Sequence, residues 1–169
     1  MTFRDASEAD LPAIVDIYNA AIPGRMATAD TEPVSVAARR AWLHEHDPAR
    51  RPLWLAVEGA RVLGWLSFQP FYGRPAYHAT AEVSVYVAPG AQRRGIGRAL
   101  LTHALAEAPR LRLRTLLGFV FGHNTPSLAL FECLGFERWA LLPGVAELDG
   151  VERDLVIVGR RVSLSHPGT

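Results

Sequence analysis

The clearest pattern in the chain is an alternation. In TAEVSVYV, Val83, Val85 and Val87 fall on one face and Glu82, Ser84 and Tyr86 on the other, the period-two signature of a strand. LWLAVE and VLGWLSF read as two more strands, joined through Gly59-Ala60-Arg61 as a hairpin. RTLLGFVFG reads as a buried strand. Phe3 and Arg4 begin a short one, and FERWALL and DLVIVGR supply two near the end. Between them runs a helical period. Leu11, Ile14, Tyr18 and Ala21 share one helix face, preceded by Ser7 and Asp10 at capping-box spacing and ended by Pro23-Gly24. Ser35 caps a second helix, VAARRAWLHEH, which Pro48 stops. A third helix runs from about Gly95 to Glu107. In the fourth, Thr125 precedes Pro126 at the first helical position and Gly135 closes the helix. Hairpins first and a strand-helix-strand crossover later predict one α/β (α+β) mixed sheet with helices on both faces. Trp42, Trp54, Trp65 and Trp139 are expected in its core.

Bulk properties narrow the function classes. A chain of 169 residues fits a single domain over 1–169. Net charge is +1, so no global field favours nucleic acid or an anionic membrane. No apolar run approaches the ~18 residues of a membrane span, and MTFRDASEAD lacks the apolar core of a signal peptide, so a cytoplasmic protein is expected. The single cysteine, Cys133, excludes an internal disulfide and is expected to pack rather than react. His44 and His46 face different ways on their helix, and His78, His103, His123 and His166 are scattered, so no metal is expected.

Candidate chemistry gathers after the valine strand. Gln92-Arg93-Arg94-Gly95-Ile96-Gly97-Arg98 places bare backbone and three guanidiniums where a helix begins. The first N–H groups of a helix lack internal partners and its dipole makes that end positive, so a phosphate suits it. Two common phosphate loops do not match. No lysine follows the glycines, as a P-loop requires, and position 100 is leucine where the dinucleotide fingerprint needs its third glycine.

What remains, Q/R-x-x-G-x-G/A after a strand and opening a helix, resembles the acyl-CoA-binding motif of the GCN5-related N-acetyltransferases (GNAT). HNTPSLALFECLGF, with Asn124, Ser127, Leu130, Gly135 and Phe136 in register, resembles the closing motif of that family. FYGRPAYHATAEVSVYV, DIYNAAI, the Thr-Ala-Asp-Thr-Glu-Pro loop and VLGWLSF are similar to the branch that acetylates phosphinothricin and methionine sulfone or sulfoximine. The likeness covers Phe3 to Phe136; the tail, LPGVAELDGVERDLVIVGRR, departs from it.

The resemblance implies a sheet of about seven strands splayed in the middle, acetyl-CoA as cosubstrate, a small-molecule amine as acceptor and a homodimer. It assigns the general base to Glu82. Pantetheine contacts fall to Val85, Tyr86 and Val87, diphosphate contacts to Arg93, Arg94, Gly95, Ile96, Gly97 and Arg98, and further cofactor contacts to Asn124 and Ser127. Substrate contacts fall to Arg74, Pro75, Ala76 and Tyr77 beside Glu82, with Phe71 and Tyr72 as pocket walls or caps on a core edge. Phe131 stands where relatives carry a tyrosine or histidine able to protonate the leaving thiolate. A peptide N-terminal acetyltransferase and a non-catalytic acetyl-CoA-binding module are the alternatives.

Overall fold

The computed structural model describes residues 1–163; His166 lies outside them. Its elements are β1 (Thr2–Asp5), α1 (Leu11–Ala21), α2 (Val36–His44), β2 (Leu53–Glu58), β3 (Arg61–Pro70), β4 (Thr80–Val87), α3 (Ile96–Glu107), β5 (Thr115–Phe121), α4 (Thr125–Cys133), β6 (Glu137–Leu148) and β7 (Val151–Arg161). The seven strands form one mixed sheet in the order β1-β2-β3-β4-β5-β7-β6. Every neighbouring pair is antiparallel except β4 and β5.

Two apolar layers sandwich this sheet. On one face Leu100, Leu101 and Ala104 of α3 and Leu128 and Phe131 of α4 pack with Phe68, Val83, Leu116, Val120 and Val158. On the other, Leu11, Ile14 and Tyr18 of α1 and Leu43 of α2 pack with Leu55 and Trp65. The Trp65 indole N–H donates to the Ile14 carbonyl at 3.1 Å, satisfying a donor that burial would otherwise strand. The Ser7–Asp10 box forms: the Asp10 carboxylate accepts from the Ser7 N–H at 2.8 Å and the Ser7 hydroxyl at 2.9 Å. Arg4 grips the same carboxylate with two bonds of 2.8 and 2.7 Å and, chiefly through them, holds its pKa down at about 2.

Four local expectations change. Asn124, not Thr125, caps α4, its side-chain oxygen accepting from the Ser127 N–H at 3.2 Å. The tail strands continue through Pro143-Gly144, because two register shifts in β6 absorb the irregular residues. Trp139 is 44% exposed rather than in the core. It lies beside a register shift on the edge strand, with its ring over Gly159, where a methyl group would come within 2.1 Å of it. Cys133, at the end of α4, is exposed rather than packed, its thiol directed to the Leu130 carbonyl.

Gly118 fixes the distance between β5 and α4. A methyl group there would meet the Phe131 ring at 2.8 Å and Val158 at 3.0 Å, both buried. Gly118→Ala is expected to lower stability by about 1–3 kcal/mol, read as a lower denaturation midpoint at unchanged m-value.

Candidate active site

β4 and β5 pair only at Thr80–Thr115, Ala81–Leu116 and Glu82–Leu117, and then part. Phe68 donates its backbone N–H to Pro52, away from β4, so its partner Val83 also turns its backbone groups away from β3. By the same alternation the N–H and C=O groups of Val85 and Val87 point into the gap that β5 has left. Tyr86 turns its backbone toward Trp65 of β3 instead.

A cavity of about 420 Å³ occupies this gap. Strand alternation gives it two chemically different sides. Val83, Val85 and Val120 face α3 and α4, where Asn124, Ser127 and Phe131 complete the wall. Glu82, Ser84 and Tyr86 face the opposite side, with Phe119 and Phe121 of β5, Val145 of β6 and the Met26–Ala29 segment. Glu82 is the one charged residue in the lining. No ion pair or side-chain hydrogen bond engages it among the described residues, and burial raises its pKa.

The Met26–Ala29 segment is tied down from several elements. The Tyr86 hydroxyl donates to the Ala27 carbonyl at 3.0 Å and the Asn124 amide to the Met26 carbonyl at 2.9 Å. A ring nitrogen of His123 donates to the Arg25 carbonyl at 2.7 Å, while the ring stacks on Phe121 at 5.5 Å. The Tyr18 hydroxyl donates to Asp30 and bonds Thr28 at 2.5 Å; burial is the main reason its pKa is raised. Arg39 lies over the Tyr18 ring at 4.5 Å and meets Asp30 at 3.4 Å. Burial likewise raises the Tyr86 pKa, so both tyrosines stay neutral donors at physiological pH.

The glycine turn lies just beyond the end of β4. Gly95 sits at φ +75° as the residue before α3, a left-handed conformation that glycine takes without strain. Gly97 is buried, and a methyl group there would meet Leu130 at 3.2 Å, so it brings α3 close to α4. Among the described residues, no acceptor takes the backbone N–H groups from Gln92 through Arg98. Arg93, Arg94 and Arg98 are exposed around them, with Arg94 meeting Glu58 at 3.2 Å.

The sequence-derived residues therefore fall into two groups. Glu82, Val85, Tyr86, Asn124 and Ser127 line the cavity, and Val87 with Arg93 through Arg98 extends from it. Arg74, Pro75, Ala76 and Tyr77 do not line it; they sit on the exposed β3–β4 loop, where Phe71, Tyr72 and Tyr77 cluster at ring separations of 4.5 to 6.1 Å. Met26, Phe119, Phe121 and Val145 line the cavity without having been singled out. Only Phe119 and Phe121 left a usable signal, since alternation along RTLLGFVFG puts them on one face.

Comparison with known proteins gives this geometry a family. A family model described as the acetyltransferase (GNAT) family matches residues 12–136, most of the chain. The chain belongs to the GNAT acetyltransferase family. Among its relatives is "Putative phosphinothricin acetyltransferase YwnH" of Bacillus subtilis, 51% identical over 164 residues, which cover 96% of this chain and 100% of that one. An L-methionine sulfoximine/L-methionine sulfone acetyltransferase of Salmonella typhimurium is 32% identical, with 94% of this chain and 92% of that one covered. The solved GNAT phosphinothricin acetyltransferase (Pat) of Sinorhizobium meliloti, in complex with acetyl-CoA, superposes with a TM-score of 0.89 at 30% identity. That match covers 95% of this chain and 88% of that one. This GNAT protein is thus an acetyltransferase, its cosubstrate is acetyl-CoA, and its mixed sheet is the family's. Among the described residues no group of three or more His, Cys, Asp or Glu could hold a metal ion, and no helix is long and apolar enough to cross a membrane.

Proposed function

We propose that this protein transfers the acetyl group of acetyl-CoA directly to the amino group of a small amino-acid-like substrate of the phosphinothricin, methionine sulfone or methionine sulfoximine type. The observation that carries the reading is the parting of β4 and β5 beside an unpaired, half-buried Glu82, with the free amides of residues 92–98 at the far end of β4. Pantetheine lies along β4 at the backbone of Val85 and Val87, on either side of Tyr86, and Asn124 and Ser127 border the thioester. The diphosphate takes the amides from Arg93 to Arg98, Gly95, Ile96 and Gly97 included, with the three arginines around it.

An amine attacks a thioester only when neutral. Glu82, directly or through a water, removes its proton on the α1 and α2 side of the sheet, while the thioester approaches from the α3 and α4 side. A backbone N–H in the gap stabilises the tetrahedral oxyanion. The apolar walls Met26, Phe119 and Val145 take the rest of the acceptor.

An amino-acid acceptor also carries a carboxylate, and the cavity lining holds no cation. Arg74 is the candidate, presented with Pro75, Ala76 and Tyr77 on the exposed loop, and free of ion pairs among the described residues. A cytoplasmic homodimer, with one 1–169 domain per protomer, would bring such a loop to a neighbouring cavity. A thiol-release assay with acetyl-CoA tests this against a panel of amino-acid analogues, short peptides and simple amines. Turnover with the amino-acid analogues is expected; turnover confined to peptides would overturn the substrate class, and none with any amine would leave an acetyl-CoA-binding module.

A further inference from the structure

We infer that the Ser127 hydroxyl is the hydrogen-bond donor to the departing sulfur of coenzyme A, the task that Phe131 cannot perform. The inference rests on the transferase reading above, with the thioester on the α3 and α4 side of the gap.

Phe131 has no proton to give. Its ring is buried against Phe136 at 4.9 Å and over Gly118, where it closes the cavity wall. Of the neighbouring polar groups, Asn124 and His123 each already donate an N–H to the backbone of residues 25–26. Asn124 accepts from the Ser127 N–H through its oxygen and donates through its nitrogen to the Met26 carbonyl. The His123 ring donates to the Arg25 carbonyl through Nε2, and its Nδ1, buried without a partner, lies outside the cavity lining; the Tyr86 hydroxyl, on the opposite face, is held by Ala27.

Ser127 differs from all of these. It lines the cavity one helical turn before Phe131, at i and i+4, so the two share a face of α4. Its backbone N–H is capped, yet its hydroxyl has no hydrogen-bond partner among the described residues. It is the third residue of α4, where the helix dipole favours an adjacent negative charge. A thiolate formed there is stabilised by both.

The balance of the step is simple. Nitrogen forms the new C–N bond and the C–S pair leaves with sulfur. The ammonium first loses one proton through Glu82 to solvent; after the C–N bond forms nitrogen loses a second by the same route, and one proton from solvent reaches the thiolate. Ser127 keeps its own proton and points it at sulfur while charge develops. Thiols titrate near ~8.5, so a hydrogen bond suffices where a stronger base would need full protonation.

The test compares Ser127→Ala and Ser127→Thr with the active wild type in the thiol-release assay, at saturating amine. The Ala variant is expected to lose about tenfold in kcat with the acetyl-CoA KM held within about twofold, while Thr, which keeps the hydroxyl, stays within about threefold. The Ser127 side chain caps nothing, so melting should not change; if the Ala variant is unstable, Ser127→Cys, of similar shape and a weak donor, should show the same fall. A kcat equal to wild type, or a loss confined to the acetyl-CoA KM, overturns the inference. An inactive wild type would instead remove the transferase reading, and this inference with it.

Discussion

Glu82→Gln is expected to leave the protein folded and able to bind acetyl-CoA while lowering kcat by about 10²- to 10⁴-fold, the range for loss of a general base. The amide keeps the shape of the carboxylate and cannot accept the proton. The pH dependence gives a second signature. Burial raises the Glu82 pKa above its ordinary 4.5, and a base works only when deprotonated, so wild-type kcat/KM falls as pH drops through that raised value. The variant should lack that acidic limb. Stability should move the other way. Between 4.5 and the raised value the folded state binds more protons at Glu82 than the unfolded state does, so wild-type stability declines as pH rises across that window. Above it, the charged carboxylate is partly desolvated with nothing to compensate it. Gln removes that penalty, so its melting midpoint should exceed wild type at pH 7 and converge with it below about pH 4. Equal melting at pH 7 together with unchanged turnover would remove Glu82 from the site.

The second large effect concerns the cofactor. Replacing Arg93, Arg94 and Arg98 together with alanine is expected to weaken acetyl-CoA binding by about 100-fold at low salt. Each exposed guanidinium contributes roughly 1 kcal/mol to a phosphate contact after screening, below the buried charge-assisted range, and 1.4 kcal/mol is a factor of ten. Arg94 already meets Glu58, so its share should be the smallest of the three. The loss should shrink as salt rises, because screening removes the same interactions in wild type. Turnover at saturating acetyl-CoA should stay within about twofold, since none of the three reaches the acyl carbon. A salt-independent loss, or one in kcat, would mean that these side chains shape the helix start rather than attract phosphate.

Much of this arrangement was legible in the sequence because local rules dominate there. β4 alternates strictly, so the faces of Glu82 and of the valines follow from period two. The free amides of the glycine turn were legible because unpaired N–H groups at a helix start are a local backbone property; the positive φ of Gly95 emerges only from the structure. The parting of β4 from β5 follows from no local rule; the family resemblance implied it and the register shows where it begins. The Met26–Ala29 wall was hidden because its position depends on contacts with Tyr86, Asn124 and His123, each about 60 to 100 residues away. Trp139 misled because hydrophobicity says nothing of edge position: β6 is the last strand of the sheet, and one face of it meets solvent. Arg74 was read from motif alone, and a motif cannot say whether its loop closes over its own cavity or another.

The most direct test is an amide NMR titration of the ¹⁵N-labelled protein with coenzyme A. Saturable binding is expected, with the largest shifts at the amides of residues 92–98 and at Val85 and Val87, which have no acceptor among the described residues. Binding that leaves those amides unmoved, or no binding at all, would contradict the proposed cofactor site.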